Sequence, residues 1–310
     1  MNFPALLVNI CDRLTDKRVN KPVPTEGVTV QKDIVYNPQR FKHCKLDIYR
    51  KEGLSGKLPV IVNVHGGSFV ATDKHYRRGF AYQYAAAGYV VLNLDYQLAP
   101  KNKYEGLIKD VYSALTFVKE NADALNFDIS KVIVCGDSAG GYLASAMCAL
   151  ATNDVLRKAY GVQDAGVVPM GAVLYCGVYN PVKLLDEKMI LNQQKMIGKL
   201  VFGITTKQEF CSIPDYRKAD ITAFVTSAFP PTFISHTDAD DMCPAQGPLF
   251  VEALKRAGVT FQEFHAVKIP VSHDWQLSAQ NPFSFKVHEA TQEFLADLQN
   301  GKATDRYFEI

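Results

Sequence analysis

Residues 132–147 read VIVCGDSAGGYLASAM. An apolar run stops at Gly136-Asp137-Ser138-Ala139-Gly140, and an apolar helical run resumes at once. The spacing G-x-S-x-G between a strand and a helix is that of a nucleophile elbow. So sharp a turn forces its serine into a strained backbone conformation. Side chains at positions 136 and 140 would collide with neighbouring backbone, so both must be glycine. The hydroxyl is then raised above the sheet, at the start of a helix whose dipole favours negative charge. An ordinary strand-to-helix turn can carry the same five residues. The apolar segments on either side favour the elbow, with Ser138 as nucleophile.

Further apolar runs flank this one. LPVIVNV (58–64), YVVLNLD (89–95), KVIVCG (131–136), GAVLYC (171–176) and PTFISHT (231–237) all read as buried parallel strands. Helical patterns lie between and after them, at about 75–87, 104–122, 139–152, 245–257 and 283–299. Such alternation predicts an α/β fold, a mostly parallel central sheet flanked by helices on both faces. VTVQKDIVY and CKLDIYR alternate apolar with polar residues and fit an antiparallel edge pair. TFQEFHAVKIP (260–270) reads as the last strand, and the tail KATDRYFEI as exposed aromatic and apolar residues. Residues 179–228 break the rhythm with a long helical insertion that holds no buried strand. An insertion of this length after a strand is usually functional.

Of the 310 residues, 47% are hydrophobic and 21% charged, as in an ordinary globular chain with a sizeable core. A net charge of +2 gives no sign of a nucleic-acid or membrane-surface partner. The seven cysteines are scattered, odd in number and without a C-x-x-C pair, which suits a reducing cytoplasm. Cys135, Cys148 and Cys176 sit in apolar surroundings and read as small core residues. The start, MNFPALLVNICDRL, lacks a basic region and reads as a short amphipathic helix rather than a signal peptide. No apolar stretch reaches the roughly 20 residues that span a bilayer.

Three further elements complete the chemistry. NVHGGSF places His65-Gly66-Gly67 directly after the strand 58–64. Backbone N–H groups are good donors to an oxyanion because they need no reorganisation. The N–H groups of Gly66, Gly67 and Ala139 are expected to form that hole, with His65 orienting the loop. An acid is expected just past the strand 231–237, where such sheets place their sites. Asp240 is favoured there, with Asp241 and Asp238 as alternatives. Among seven histidines, His273 lies in a loop before the last helix and is the expected base. The chain order Ser138, Asp240, His273 is the order expected on this sheet.

With these residues in view the chain resembles the α/β-hydrolase superfamily. It is most similar to the carboxylesterase branch related to hormone-sensitive lipase. The resemblance covers about 58–300 and rests on His65-Gly66-Gly67, LDYQLAP (94–100), GDSAGGYLA (136–144), Asp240 and His273. It implies ester hydrolysis on small or medium acyl groups, with no cofactor and no metal. There are departures. Ser68 stands where the family's oxyanion loop has a third glycine, and Gln97 replaces an arginine. Asp240-Asp241-Met242-Cys243-Pro244 is closer to the D-x-x-V-P pattern of esterases acting on acetylated or feruloylated carbohydrate. That mixture bears on the substrate rather than the reaction.

The expected protein is thus a cytoplasmic serine carboxylesterase acting on a small-molecule ester, built as one domain over 1–310. Residues 179–228 are expected to form a cap, and a contribution from 1–25 is left open. Met189, Ile190, Met196 and Phe202 either line an acyl pocket or bury the cap's own core. Oligomeric state is not legible. Two rivals share the fold: an amidase or peptidase using the same residues, and a non-catalytic ligand-binding protein.

Overall fold

A computed structural model of the chain describes residues 25–189, 192–278 and 281–310. Ile190 and the segment up to residue 24, both considered above for the cap, lie outside the described residues.

Apolar runs without polar alternation are stable in the middle of a sheet covered on both faces. Here they occupy that place. The strands are β1 (Val28–Val35), β2 (Lys45–Lys51), β3 (Leu58–Val64), β4 (Val90–Leu94) and β5 (Phe127–Asp137). They continue with β6 (Gly171–Tyr175), β7 (Thr232–Thr237), β8 (Phe261–Ala266) and β9 (Arg306–Glu309). All pair into one sheet in the order β1-β2-β4-β3-β5-β6-β7-β8-β9. The pairs β1/β2 and β2/β4 are antiparallel, and the remaining pairs are parallel. The expected antiparallel pair therefore does open the sheet.

The helices are α1 (Arg78–Ala86), α2 (Tyr104–Glu120), α3 (Ala139–Thr152) and α4 (Asp154–Tyr160). After them come α5 (Pro181–Leu184), α6 (Gln193–Ile197), α7 (Lys207–Ser212), α8 (Gln246–Ala257) and α9 (Pro282–Gln299). Two apolar clusters lie on opposite faces of the sheet. Val60, Val62 and Val64 of β3 pack with Leu107 of α2, Met147 of α3 and Phe250 of α8. Ile61, between them, points the other way and packs with Phe80 of α1 and Phe294 of α9. This is the two-residue alternation of a strand with both faces covered. α3 is buried almost all round, so its sequence is apolar on every face.

Residues 179–228 carry α5, α6 and α7, a π turn at Gly198–Phe202, and 3₁₀ turns at Tyr216–Ala219 and Ile221–Phe224. No strand occurs among its described residues. Tyr142 Oη donates to Ala219 O, and Tyr160 Oη donates to Lys218 O, fastening the segment to α3 and α4. Phe202 meets the Phe210 ring edge-on at 5.2 Å and lies 5.1 Å from the ring of Tyr104. Phe202 therefore packs between the segment and α2.

Two elements depart from the expectation. α4 is a separate seven-residue helix, started by Asn153 Oδ1 accepting from Leu156 N and ended by Gly161 in the left-handed region. β8 is not the last strand, because the tail adds β9 beside it. Phe308 of β9 stacks on Phe264 at 5.8 Å, and Val267 N donates to Ile310 O. A fully buried Phe→Ala change costs about 3–5 kcal/mol. Phe308 is half-buried, so Phe308→Ala is expected to cost roughly half that, read as a lower urea midpoint with unchanged slope.

Candidate active site

Strand β5 runs into the turn at Ser138, whose φ of 52° and ψ of −120° lie outside the regions that side chains favour. The turn is held by Ser138 N donating to Tyr175 O at 2.9 Å, and by Ser138 O accepting from Gly141, Tyr142 and Val178 N–H. The flanking glycines are needed for space. A β-carbon at Gly136 would lie 2.2 Å from Gly140 O, and one at Gly140 would lie 2.0 Å from Val64 O. The structure thus gives both glycines the crowding expected from the sequence.

His273, in the loop between β8 and α9, brings Nε2 to 2.8 Å from Ser138 Oγ. Its Nδ1 lies 3.0 Å from both oxygens of Asp240. Asp240 follows β7 and also accepts N–H bonds from Met242 and Cys243, each at 2.9 Å. Burial works to raise the Asp240 pKa, but the His273 charge and these hydrogen bonds hold it below the usual carboxylate value. The alternative acids lie elsewhere: Asp238 pairs with His265 at 2.7 Å, and Asp241 is exposed.

His65 stacks on Tyr96 at 4.4 Å, and its Nδ1 lies 2.8 Å from Thr72 Oγ1. Burial pushes its pKa down to about 4, so it is a neutral loop anchor. His288, on α9, contacts Tyr84 Oη and Gln276 O and is likewise neutral in the core.

The loop after β3 requires one correction. Gly66 N donates to Asp137 Oδ2 at 3.0 Å, so this N–H is spent inside the protein and is not a free oxyanion donor. Among the described residues, the N–H groups of Gly67, Ser68 and Ala139 donate to no protein acceptor. Gly67, Ser68 and Phe69 have φ values of 103°, 52° and 65°. Consecutive residues in such conformations gather N–H groups into an anion-binding concavity. The N–H groups left free in this loop are thus those of the second and third positions of the motif, and the first is bonded. Ser68 also spends its hydroxyl on Gln193 Oε1 of α6, at 3.2 Å.

Two features escaped the sequence reading. Arg77 holds Asp137 through both nitrogens, at 2.8 and 2.6 Å, and both side chains are buried. Asp274 follows His273 with φ 53°, and its Oδ2 lies 3.5 Å from His273 Nε2. Its Oδ1 is buried without a hydrogen-bond partner among the described residues. Burial pushes the Asp274 carboxyl up to about 8, against the pull of the His273 charge. Burial also opposes charge on His273, but Asp274 and Asp240 outweigh it and hold the imidazole well above its usual value. A proton on Asp274 weakens its hold on His273, so the two titrate as a pair. The only sequence signal for Asp274 was adjacency to His273.

Among the described residues, two groups have donor atoms close enough for a metal ion. One is Cys176, Asp240 and His273, within the relay itself; the other is His236, Glu263 and His265. The thiols of Cys176 and Cys243 are buried and their pKa values are raised, chiefly by desolvation.

The sheet order, the helices on both faces and the serine at a strand-to-helix turn are those of an α/β-hydrolase. Within that class the chain belongs to the BD-FAE family, whose model matches residues 46–254. Esterase LipQ of Mycobacterium tuberculosis is 28% identical over 271 residues, covering 85% of this chain and 61% of LipQ. Isoprenylcysteine alpha-carbonyl methylesterase ICME of Arabidopsis thaliana is 26% identical over 235 residues, covering 74% of this chain and 53% of that protein. The chain thus spans about three fifths and about half the length of these two curated relatives. The crystal structure of Esterase B from Lactobacillus rhamnosis shares the fold, with a TM-score of 0.81 at 20% identity over 96% of both chains.

Breaking a buried pair by removing one partner costs about 3–5 kcal/mol, because the other charge is left uncompensated. Arg77→Ala is expected to lose that much in chemical denaturation, since it strands Asp137 under the elbow.

Proposed function

We propose that the chain is a serine carboxylesterase acting on esters with small to medium acyl groups. Ser138 is the nucleophile, His273 the general base and then acid, and Asp240 the residue that orients the imidazole. One observation carries this reading. A single imidazole lies 2.8 Å from Ser138 Oγ on one side and 3.0 Å from both Asp240 oxygens on the other. That is the geometry of an activated serine. His273 takes the Ser138 proton as Oγ attacks the ester carbonyl carbon. The oxyanion is received by the N–H groups of Gly67, Ser68 and Ala139. His273 then protonates the leaving alcohol, and an acyl-enzyme remains. Water repeats the cycle, releases the acid and restores the hydroxyl.

We assign the whole chain to one domain, with 179–228 as its cap. The Ser68–Gln193 hydrogen bond ties that segment to the donor loop, which favours the assignment. Names of the relatives support ester chemistry: LipQ is called an esterase, and ICME a methylesterase. Amide hydrolysis uses the same groups and is the reading to fall back on. A pure binder has no use for an imidazole poised between Ser138 and Asp240.

Two predictions test this. Wild-type chain should hydrolyse p-nitrophenyl esters from acetate upward, with kcat/KM falling toward dodecanoate. Ser138→Ala should lose about 10⁴-fold or more. Ester turnover surviving in that variant would sink the assignment, and turnover on formanilides alone would favour the amidase. The second concerns pH. The base must be neutral, so kcat/KM falls as pH drops through the His273 pKa, which is raised. Asp274→Asn removes one of the charges that raise it. The acidic limb of the profile should therefore move to lower pH.

A further inference from the structure

A second cluster of side chains lies at the far end of the sheet. Strands β7 and β8 pair with His236 opposite His265. Residues two apart on a strand share a face, so Glu263 lies on the same face as both imidazoles. One ring nitrogen from each histidine and one Glu263 oxygen all lie within 4.8 Å of one another. His236 Nε2 is 2.9 Å from Glu263 Oε1, and the two rings lie tilted at 35° with centroids 4.3 Å apart. Asp238 borders the set, with Oδ1 2.7 Å from His265 Nε2. On the remaining nitrogen of His265, Tyr307 Oη of β9 lies at 3.3 Å and itself donates to Glu309 Oε2.

We propose that His236, Glu263 and His265, with Asp238 as fourth donor, bind a divalent first-row transition cation, Zn(II) in the simplest case. Two separate hydrogen-bonded pairs would explain the N–O contacts but not their convergence. The two ring centroids lie 4.3 Å apart, so both imidazoles face one place, and neutral imidazole is the form a cation takes. Two imidazole nitrogens with carboxylate oxygens are a zinc donor set, at about 2.0–2.2 Å each. Binding would displace the protons that now bridge the N–O pairs. Tyr307 would keep the outer nitrogen of His265 hydrogen-bonded, as metal-bound histidines usually require. His236 and Glu263 are buried, while Asp238 reaches solvent and gives the ion its way in. The ion would clamp β7 to β8 a few residues before Asp240. Its role is structural and does not depend on the esterase reading.

The test is direct. The full chain is stripped with chelator, loaded with Zn(II) and desalted, and retained metal is counted by atomic emission. Thermal unfolding is followed with and without zinc. The expected result is about one zinc per chain and a higher midpoint when loaded. His265→Gln, at the rim, should lose both effects while melting like wild type without zinc. Cys176→Ser should keep the ion, which places it away from Ser138. If His265→Gln does not fold, the exposed Asp238→Asn serves instead, and zinc affinity should fall at least tenfold. No retained zinc in wild type overturns the proposal. So does zinc binding that survives unchanged in the folded variant of this cluster, or that is lost in Cys176→Ser.

Discussion

The absent side chain of Gly140 is the constraint on which the rest of the site depends. A β-carbon there would lie 2.0 Å from the carbonyl oxygen of Val64, the last residue of β3. Helix α3 can approach the end of β3 only because that atom is missing. The approach sets the elbow of Ser138 beside the loop that leaves β3, so the proposed nucleophile and the free N–H groups of that loop share one corner. It also brings the Asp137 carboxylate under that loop, where it takes the Gly66 N–H. Any larger residue at 140 would push the helix, the serine and the donor loop apart together.

Charge arrangement follows from the same corner. Asp240 and Asp274 put two carboxylates beside the His273 imidazole, Asp137 acts on Asp274 in turn, and burial makes each costly unless it is compensated. Asp137 is compensated by the two-nitrogen grip of Arg77. Asp240 is compensated by two backbone N–H groups and by His273. Asp274 has only a 3.5 Å approach to His273. Asp240 is thus the anion that faces the imidazole, while Asp274 and His273 titrate as a pair. In the proposed reaction Asp240 favours the imidazolium that forms when Ser138 gives up its proton. The same charge makes deprotonation harder at rest, so this corner trades readiness as a base for stabilisation of the charged intermediate.

Much of the fold was legible because its signals are local. Apolar runs such as 58–64 and 139–152 coincide with β3 and α3. The glycines at 136 and 140 announce their crowding by spacing alone. β9 was missed because an edge strand is held by backbone pairing and buries little of its side chains. α4 was missed because seven residues give too short a period to read. Gly66 was misread for a related reason: sequence spacing identifies N–H groups in reach but not which of them is already bonded. That depends on Asp137, 71 positions away. Arg77 and Asp274 carry no motif, and their meaning arises only when distant segments meet.

The segment proposed as a cap lies in the part of the chain where local signals are weakest. The segment 179–228 is built of short turns and helices fastened at separate points. Ala219 O accepts from Tyr142, Leu200 O accepts from Lys103, and Gln193 accepts from Ser68. The first attaches it to α3 and the second to Lys103, the residue that precedes α2. The third attaches it to the donor loop itself. A glycine at position 68 would leave that loop independent of the segment above it. With serine there, a shift of α6 pulls on a residue whose N–H donates to no protein acceptor among the described residues. On the proposed reaction and cap, fit of a substrate under the segment and stabilisation of charge at its carbonyl would therefore be mechanically linked. The departure from the three-glycine pattern would then act through the backbone, while the hydroxyl of Ser68 faces Gln193.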